Sequence, residues 1–190
     1  LPNEPLHDRI GHVNSWGQVP VLELPDGTVM TELSAIMAYL TTHERGFREG
    51  PHLYCDNVPE FMRWAAFLCV NVYEGILRRS YPQRFCVLSG QEGDGPGSDA
   101  WLIKNVSDAA RHRTHQALLC LQSSTHGAYL LGDRMSACDL ILAMLYAWHN
   151  RKPDLPRLTE ITEKVATHEI VRPIWKANFE KRRDFKWHEL

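Results

Sequence analysis

The chain has 190 residues, 44% of them hydrophobic and 23% charged, with a formal net charge of −2. That length suits one compact unit or two small ones, and a balanced charge without any Lys/Arg run argues against nucleic acid as a partner. No window reaches the ~18 apolar residues of a membrane-spanning helix. The five cysteines are odd in number, scattered and without a CxxC pair, which points to reduced thiols.

Residues 1–18 hold Pro2, Pro5 and Gly17 and no sustained period, so they read as loop with at most one helical turn. No charged-then-apolar signal segment is seen, and a cytoplasmic protein is expected. Residues 19–30 read as a hairpin closed by Pro25-Asp26-Gly27. Proline lacks an amide hydrogen and is normally excluded from an interior strand position. Val19-Pro20, ahead of Val21, Leu22 and Leu24, therefore predicts a special backbone geometry, and a cis bond is one that only X-Pro adopts cheaply. In that form the backbone groups of Val19 would face outward, open to an extended ligand. A helix over 31–43, opened by Thr31 and Glu32, follows with Ala35, Ile36, Tyr39 and Leu40 on one face.

Gly46, Gly50, Pro51 and Asn57 mark a linker over 46–57, which separates a first part, 1–45, from a second, 58–190. In the second part Pro59 suits a first helical turn. Phe61, Trp64, Ala65, Leu68, Val72 and Ile76 then recur every three or four residues until Tyr81-Pro82. A glycine-rich loop over 89–99 leads to a helix over 100–121, with Ile103, Val106, Ala110, Ala117 and Leu121 on its inner stripe. Helices over 137–148 and 157–167 follow, and a last one starts near Arg172-Pro173. Glu180-Lys181-Arg182-Arg183-Asp184 reads as a solvated helix end.

Ser136-Ala137-Cys138-Asp139 has the form of a capping box, with Met135 and Leu140 placed as a hydrophobic staple. It locks a helix and does no chemistry; losing the cap costs about 1 kcal/mol. His112 and His115 share a helix face, but no third ligand is evident, so they read as solvated surface and no metal is expected.

The run Asn14-Ser15-Trp16-Gly17-Gln18-Val19-Pro20-Val21-Leu22, followed by Thr31-Glu32-Leu33-Ser34-Ala35-Ile36, closely resembles the glutathione-binding half of the thioredoxin-like domain in cytosolic glutathione transferases. That family runs Asn-Pro-x-Gly-(Lys/Gln)-Val-Pro-x-Leu, a hairpin, then (Gln/Glu)-Ser-x-Ala-Ile. Its helical C-terminal domain carries a Ser/Thr-x-x-Asp box, matched here by Ser136 and Asp139. The fold class implied is α/β plus all-α: a thioredoxin-like N-terminal domain, then an all-helical one. The family's domain opens with a strand, a helix and a second strand that this sequence does not contain. Its catalytic Tyr, Ser or Cys lies at the end of the first of those strands, so this sequence does not show the catalytic residue: either the front segment has been lost or left out, which is the expectation, or the natural protein is truncated.

The resemblance also implies roles. Val19, before Pro20, matches the residue whose backbone pairs with the cysteinyl moiety of glutathione. Glu32 matches the group that holds the ligand's α-amino end, and its place in a first helical turn suits a carboxylate in any case. Leu33 stands where the family usually has a serine that donates to the γ-glutamyl carboxylate; Ser34, one place on, is a substitute donor. Gln18 matches a Lys/Gln position near the glycyl end, and Asn14 shapes the loop. The electrophilic co-substrate would lie over the first long helix after the linker, where Arg63, Trp64, Phe67, Tyr73 and Arg78 are candidates, although the aromatic residues also suit a core. The stretch from Arg63 to Tyr73 also looks like bacterial members of the family.

Glutathione is thus expected as co-substrate, conjugated to an electrophilic small molecule or used to isomerise one, in a homodimer. The alternatives are a non-catalytic module of the same fold used for assembly or regulation, and a thiol-disulfide oxidoreductase. The latter needs a CxxC pair or a single cysteine in the absent segment; none of the five visible cysteines lies near Pro20 in sequence.

Overall fold

The computed structural model describes residues 10–42, 53, 57–149 and 154–180. The chain separates into two compact units, residues 1–54 and 55–190. The expected linker falls, apart from Leu53 and Asn57, outside the described residues, as do Lys181–Asp184.

In the first unit, strands β1 (Leu22–Glu23) and β2 (Val29–Met30) pair antiparallel, Leu22 opposite Met30 and Glu23 opposite Val29. They are shorter than the predicted hairpin because the turn takes up Leu24 to Thr28. Leu24 N–H donates to the Thr28 carbonyl (2.8 Å) and Gly27 N–H to the Leu24 carbonyl (2.9 Å). The Asp26 carboxylate accepts Thr28 N–H at 2.9 Å. Gly27 sits at φ +83, which glycine adopts at little cost. The Val19-Pro20 bond is cis, within the geometry the sequence anticipates.

Helix α1 spans Leu33–Thr42 and buries Ile36. It opens later than predicted, and the reason is Glu32. That residue has φ +68, a left-handed conformation that lies outside the helix. Its carbonyl nevertheless accepts the first helical bond, from Ile36 N–H at 2.9 Å. Glu32 is therefore the N-cap residue and does not belong to the first turn.

The second unit opens with α2 (Val58–Phe67), a π-helical segment (Leu68–Tyr73) and α3 (Glu74–Ser80) in unbroken succession. The Asn57 side chain caps α2 by accepting Glu60 N–H at 3.3 Å. All six residues of the predicted stripe, Phe61, Trp64, Ala65, Leu68, Val72 and Ile76, are buried. The π-helical segment is new, and the stripe explains it. From Trp64 onward the apolar residues recur every fourth position, which on an α-helix drifts by about 40° per step. Wider turns keep Leu68, Val72 and Ile76 on one face.

Helix α4 (Asp99–Ser124) runs longer than expected; Ser98 caps it by accepting Trp101 N–H at 3.3 Å. It packs closely on α3, since a Cβ added at Gly75 would stand 2.0 Å from Thr114 Oγ1. Helix α5 (Ala137–Ala147) is buried almost all round, as a central helix should be. Helix α6 (Pro156–Thr167) and the short α7 (Arg172–Trp175) with its π-helical extension Lys176–Glu180 follow. Leu118, Leu121, Leu142, Leu145, Tyr146, Leu158 and Ile161 form the centre of this core.

The predicted capping box holds α5. One Asp139 carboxylate oxygen accepts Ser136 N–H (2.7 Å) and Ser136 Oγ–H (2.8 Å), and the other accepts Leu130 N–H (2.8 Å). Burial pushes the Asp139 carboxyl above the usual carboxylate range, against the pull of these three bonds. No described helix is long and apolar enough to cross a membrane.

Candidate functional site

Two parts of the first unit converge on the open end of the hairpin. Gln18, Val19 and Pro20 run into β1, while Glu32, Leu33 and Ser34 leave β2 and open α1. The pairing of Leu22 with Met30 sets both ends opposite the Asp26-Gly27 turn. Asn14 fixes the approach loop: its Oδ1 accepts Trp16 N–H (3.1 Å) and its Nδ2 donates to the Gln18 carbonyl (2.8 Å).

Val19 is 55% exposed, and neither its N–H nor its carbonyl is hydrogen-bonded among the described residues. That is a short strand edge without a partner, the element to which an extended peptide adds. The Glu32 side chain is exposed and makes no hydrogen bond or ion pair among the described residues. A non-glycine residue held at positive φ is costly and marks a place where the surroundings dictate side-chain direction. Leu33 and Ser34 are half-buried at the head of α1, where the first amides have no helical acceptor. Leu33 supplies no hydroxyl there. The end therefore offers a strand edge, helix-start amides suited to an anion, and a carboxylate suited to a cation.

In the second unit the predicted co-substrate residues part company. Trp64 is 3% exposed and belongs to the core. Phe67 packs edge-on against it, ring centroids 5.2 Å apart. The Arg63 guanidinium lies over the Trp64 ring at 4.3 Å and pairs with Glu60 at 3.2 Å. Tyr73 is half-buried, and desolvation, with Glu74 beside it, pushes its hydroxyl pKa up. None of these four lines the 430 Å³ cleft between α3 and α4, which Val70, Glu74, Arg78, Phe85, Val106 and Arg113 help to form. Arg78, the fifth candidate, does; it approaches Glu74 at 3.7 Å and lies 5.3 Å from the Phe85 ring centre.

His115 corrects the sequence reading. It is 8% exposed, with Nε2 2.7 Å from Asp154 and Nδ1 3.3 Å from His149, so it is not solvated surface. His112 alone is exposed. The i, i+3 spacing that drew attention to the two residues was the wrong signal, since the partners of His115 lie 34 and 39 positions away. Among the described residues no group of three His, Cys, Asp or Glu could hold a metal ion.

A thioredoxin-like hairpin-and-helix segment followed by an all-helical unit is the architecture of glutathione transferases. Residues 2–43 match the family described as "Glutathione S-transferase, N-terminal domain". A glutathione transferase homologue from Sulfitobacter with bound glutathione is similar over 90% of this chain and 79% of its own, with a TM-score of 0.69 at 15% identity. A sphingomonad glutathione S-transferase complexed with glutathione covers 88% and 77%, with a TM-score of 0.65 at 19% identity. The glutathione-S-transferase from Xylella fastidiosa covers 90% and 80%, with a TM-score of 0.66 at 21% identity. No curated protein matches this chain. The sequence match rests on residues 2–43, and the solved structures add a shared fold over most of the chain.

Proposed function

We propose that this chain binds glutathione at the open end of the hairpin and uses its thiol against an electrophilic small molecule. The observation that carries the reading is the backbone of Val19 beside Pro20, without a hydrogen bond among the described residues, with the Glu32 carboxylate, likewise unengaged among them, two residues past β2. Glutathione is a peptide with charged ends, and each part has a complement. Its cysteinyl backbone pairs with Val19. Its α-ammonium meets Glu32. Its γ-glutamyl carboxylate meets the amides of Leu33 and Ser34 at the start of α1, and Gln18 lies toward the glycyl end. Two of the similar structures hold glutathione, which supports this reading.

A free thiol has a pKa near 8.5 and is mostly protonated at neutral pH, so hydrogen-bond donation to the sulfur raises the amount of nucleophile. The thiolate attacks an electrophilic carbon, or adds reversibly to a double bond and isomerises it. Arg63, Phe67 and Tyr73 are the proposed co-substrate contacts, with Trp64 supporting them from the core. A Tyr73 hydroxyl that stays protonated suits hydrogen-bond donation to the electrophile. Homodimerisation and a cytoplasmic setting belong to the same proposal; sedimentation velocity tests the dimer.

Conjugation of glutathione to chlorodinitrobenzene by the full-length gene product is the direct assay. Turnover above the uncatalysed rate, lowered at least tenfold in Glu32→Ala, is the expected outcome. Glutathione binding without turnover on a panel of halides, epoxides and enones would favour a second reading, a non-catalytic module of the same fold. The specific observation behind that second reading is Leu33, which removes a side-chain donor from the site.

A further inference from the structure

The 430 Å³ cleft between α3 and α4 is built from the helical unit alone. Gly75 on α3 and Ala109 and Ala110 on α4 contribute almost no side chain, which is why space remains there. The larger lining residues leave apolar surface uncovered. Val70 is 66% exposed, and Phe85, from the 3-10 turn Pro82–Phe85, is 39% exposed. The volume falls within the roughly 300–1,000 Å³ of small-molecule sites. The π-helical segment forms part of the rim. Glu74 N–H bonds the Cys69 carbonyl, five residues back, and Val70 and Asn71 within those wider turns line the cleft. Such turns inside an α-helix are frequent at functional sites.

The charged lining is two arginines against one glutamate. Glu74 approaches Arg78 at 3.7 Å, so that guanidinium is partly neutralised. Arg113 is exposed, and its guanidinium makes no ion pair or hydrogen bond among the described residues. The Asn71 side-chain amide is likewise without a hydrogen bond among them. A surplus of one positive charge selects a monoanion. The planar fork of an arginine matches a carboxylate through two parallel hydrogen bonds. The Phe85 ring, with the Arg78 guanidinium 5.3 Å from its centre, offers a surface suited to a flat aromatic body.

We propose that the cleft between α3 and α4 binds an aromatic monocarboxylate. Arg113 holds the carboxylate, with Asn71 and Arg78 offering further donors, and the ring lies among Val70, Phe85 and Val106. None of Arg63, Trp64, Phe67 and Tyr73 lines this cleft, so its occupant is not the electrophile of the proposed conjugation. It is a second ligand.

The test titrates biphenyl-4-carboxylate into the ¹⁵N-labelled full-length gene product and follows single amides. Saturable shifts should centre on Asn71, Arg78, Ala109 and Arg113. Biphenyl-4-carboxamide keeps the rings and loses the charge, and should bind about tenfold more weakly or worse. Arg113→Met keeps much of the apolar stem and should weaken the carboxylate about tenfold, the scale of one hydrogen bond to a charged group. An exposed side chain without a partner adds little to stability, so this variant should unfold at the parent's temperature. Ala109→Trp fills the cleft from an exposed helix position and should abolish binding of both compounds. No saturable shift at millimolar carboxylate, equal affinity for the carboxamide, or binding indifferent to Arg113→Met overturns the site. So does a second copy of the chain seated in the cleft. Sedimentation velocity would then show Ala109→Trp dissociating a dimer whose parent ignores the carboxylate.

Discussion

At Glu32 and Leu33 the proposed glutathione site departs once from the family's sequence pattern. In that proposal Leu33 leaves the γ-glutamyl carboxylate to backbone amides alone, so Leu33→Ser should tighten glutathione binding by about tenfold. That is the scale of one hydrogen bond to a charged group, and titration calorimetry reads it. Asp139 is structural by comparison. It satisfies three donors from zero exposure, so Asp139→Ala strands Leu130 and Ser136 and should cost about 3 kcal/mol in urea unfolding. Ser136→Ala should cost about 1 kcal/mol. Asp99 gives the pH dependence. The Ser89 and Gly90 amides hold its carboxyl below the usual carboxylate range. A depressed folded value contributes above the unfolded one and is lost on acidification. Exchange at Ser89 and Gly90 should therefore be steady down to about pH 4 and accelerate below it. The capping box was readable because its partners lie three residues apart. The Leu130 bond and the His115 contacts were not, since they join residues far apart in sequence.

Helices were the most legible elements. Val58–Ser80 and Ala137–Ala147 each begin at a cap or a proline and carry an apolar period that their burial follows residue by residue. The strands were overestimated because Asp26 and Gly27 draw five residues into the turn, a choice made by hydrogen bonds that propensity does not count. The π-helical segment was written in the sequence as consecutive four-residue steps, but such steps also occur in α-helices. Gly75 tests the packing beside it. Gly75→Ala should destabilise by about 1–3 kcal/mol, the range for forcing extra atoms into a filled contact. Adding Thr114→Ala removes the Oγ1 that the new methyl would meet at 2.0 Å. The double variant should therefore recover much of the loss relative to the sum of the single changes, as a thermal-unfolding double-mutant cycle would show.

The molecule as a whole divides its work between two units of different construction. The described residues of the first unit include one hairpin and one helix, and the proposed contacts gather at the open hairpin end. Residues 55–190 are a helical core held by long apolar stripes. A hairpin of two-residue strands is marginal by itself, and the proposed glutathione contacts at Val19, Pro20 and Glu32 all lie at its open end. The most direct measurement is a glutathione titration of the ¹⁵N-labelled full chain followed at single amides. Saturable shifts at Val19, Leu33 and Ser34, weakened about tenfold or more in Glu32→Ala, are the predicted result. Unmoved amides at those three residues in the presence of millimolar glutathione would contradict the account.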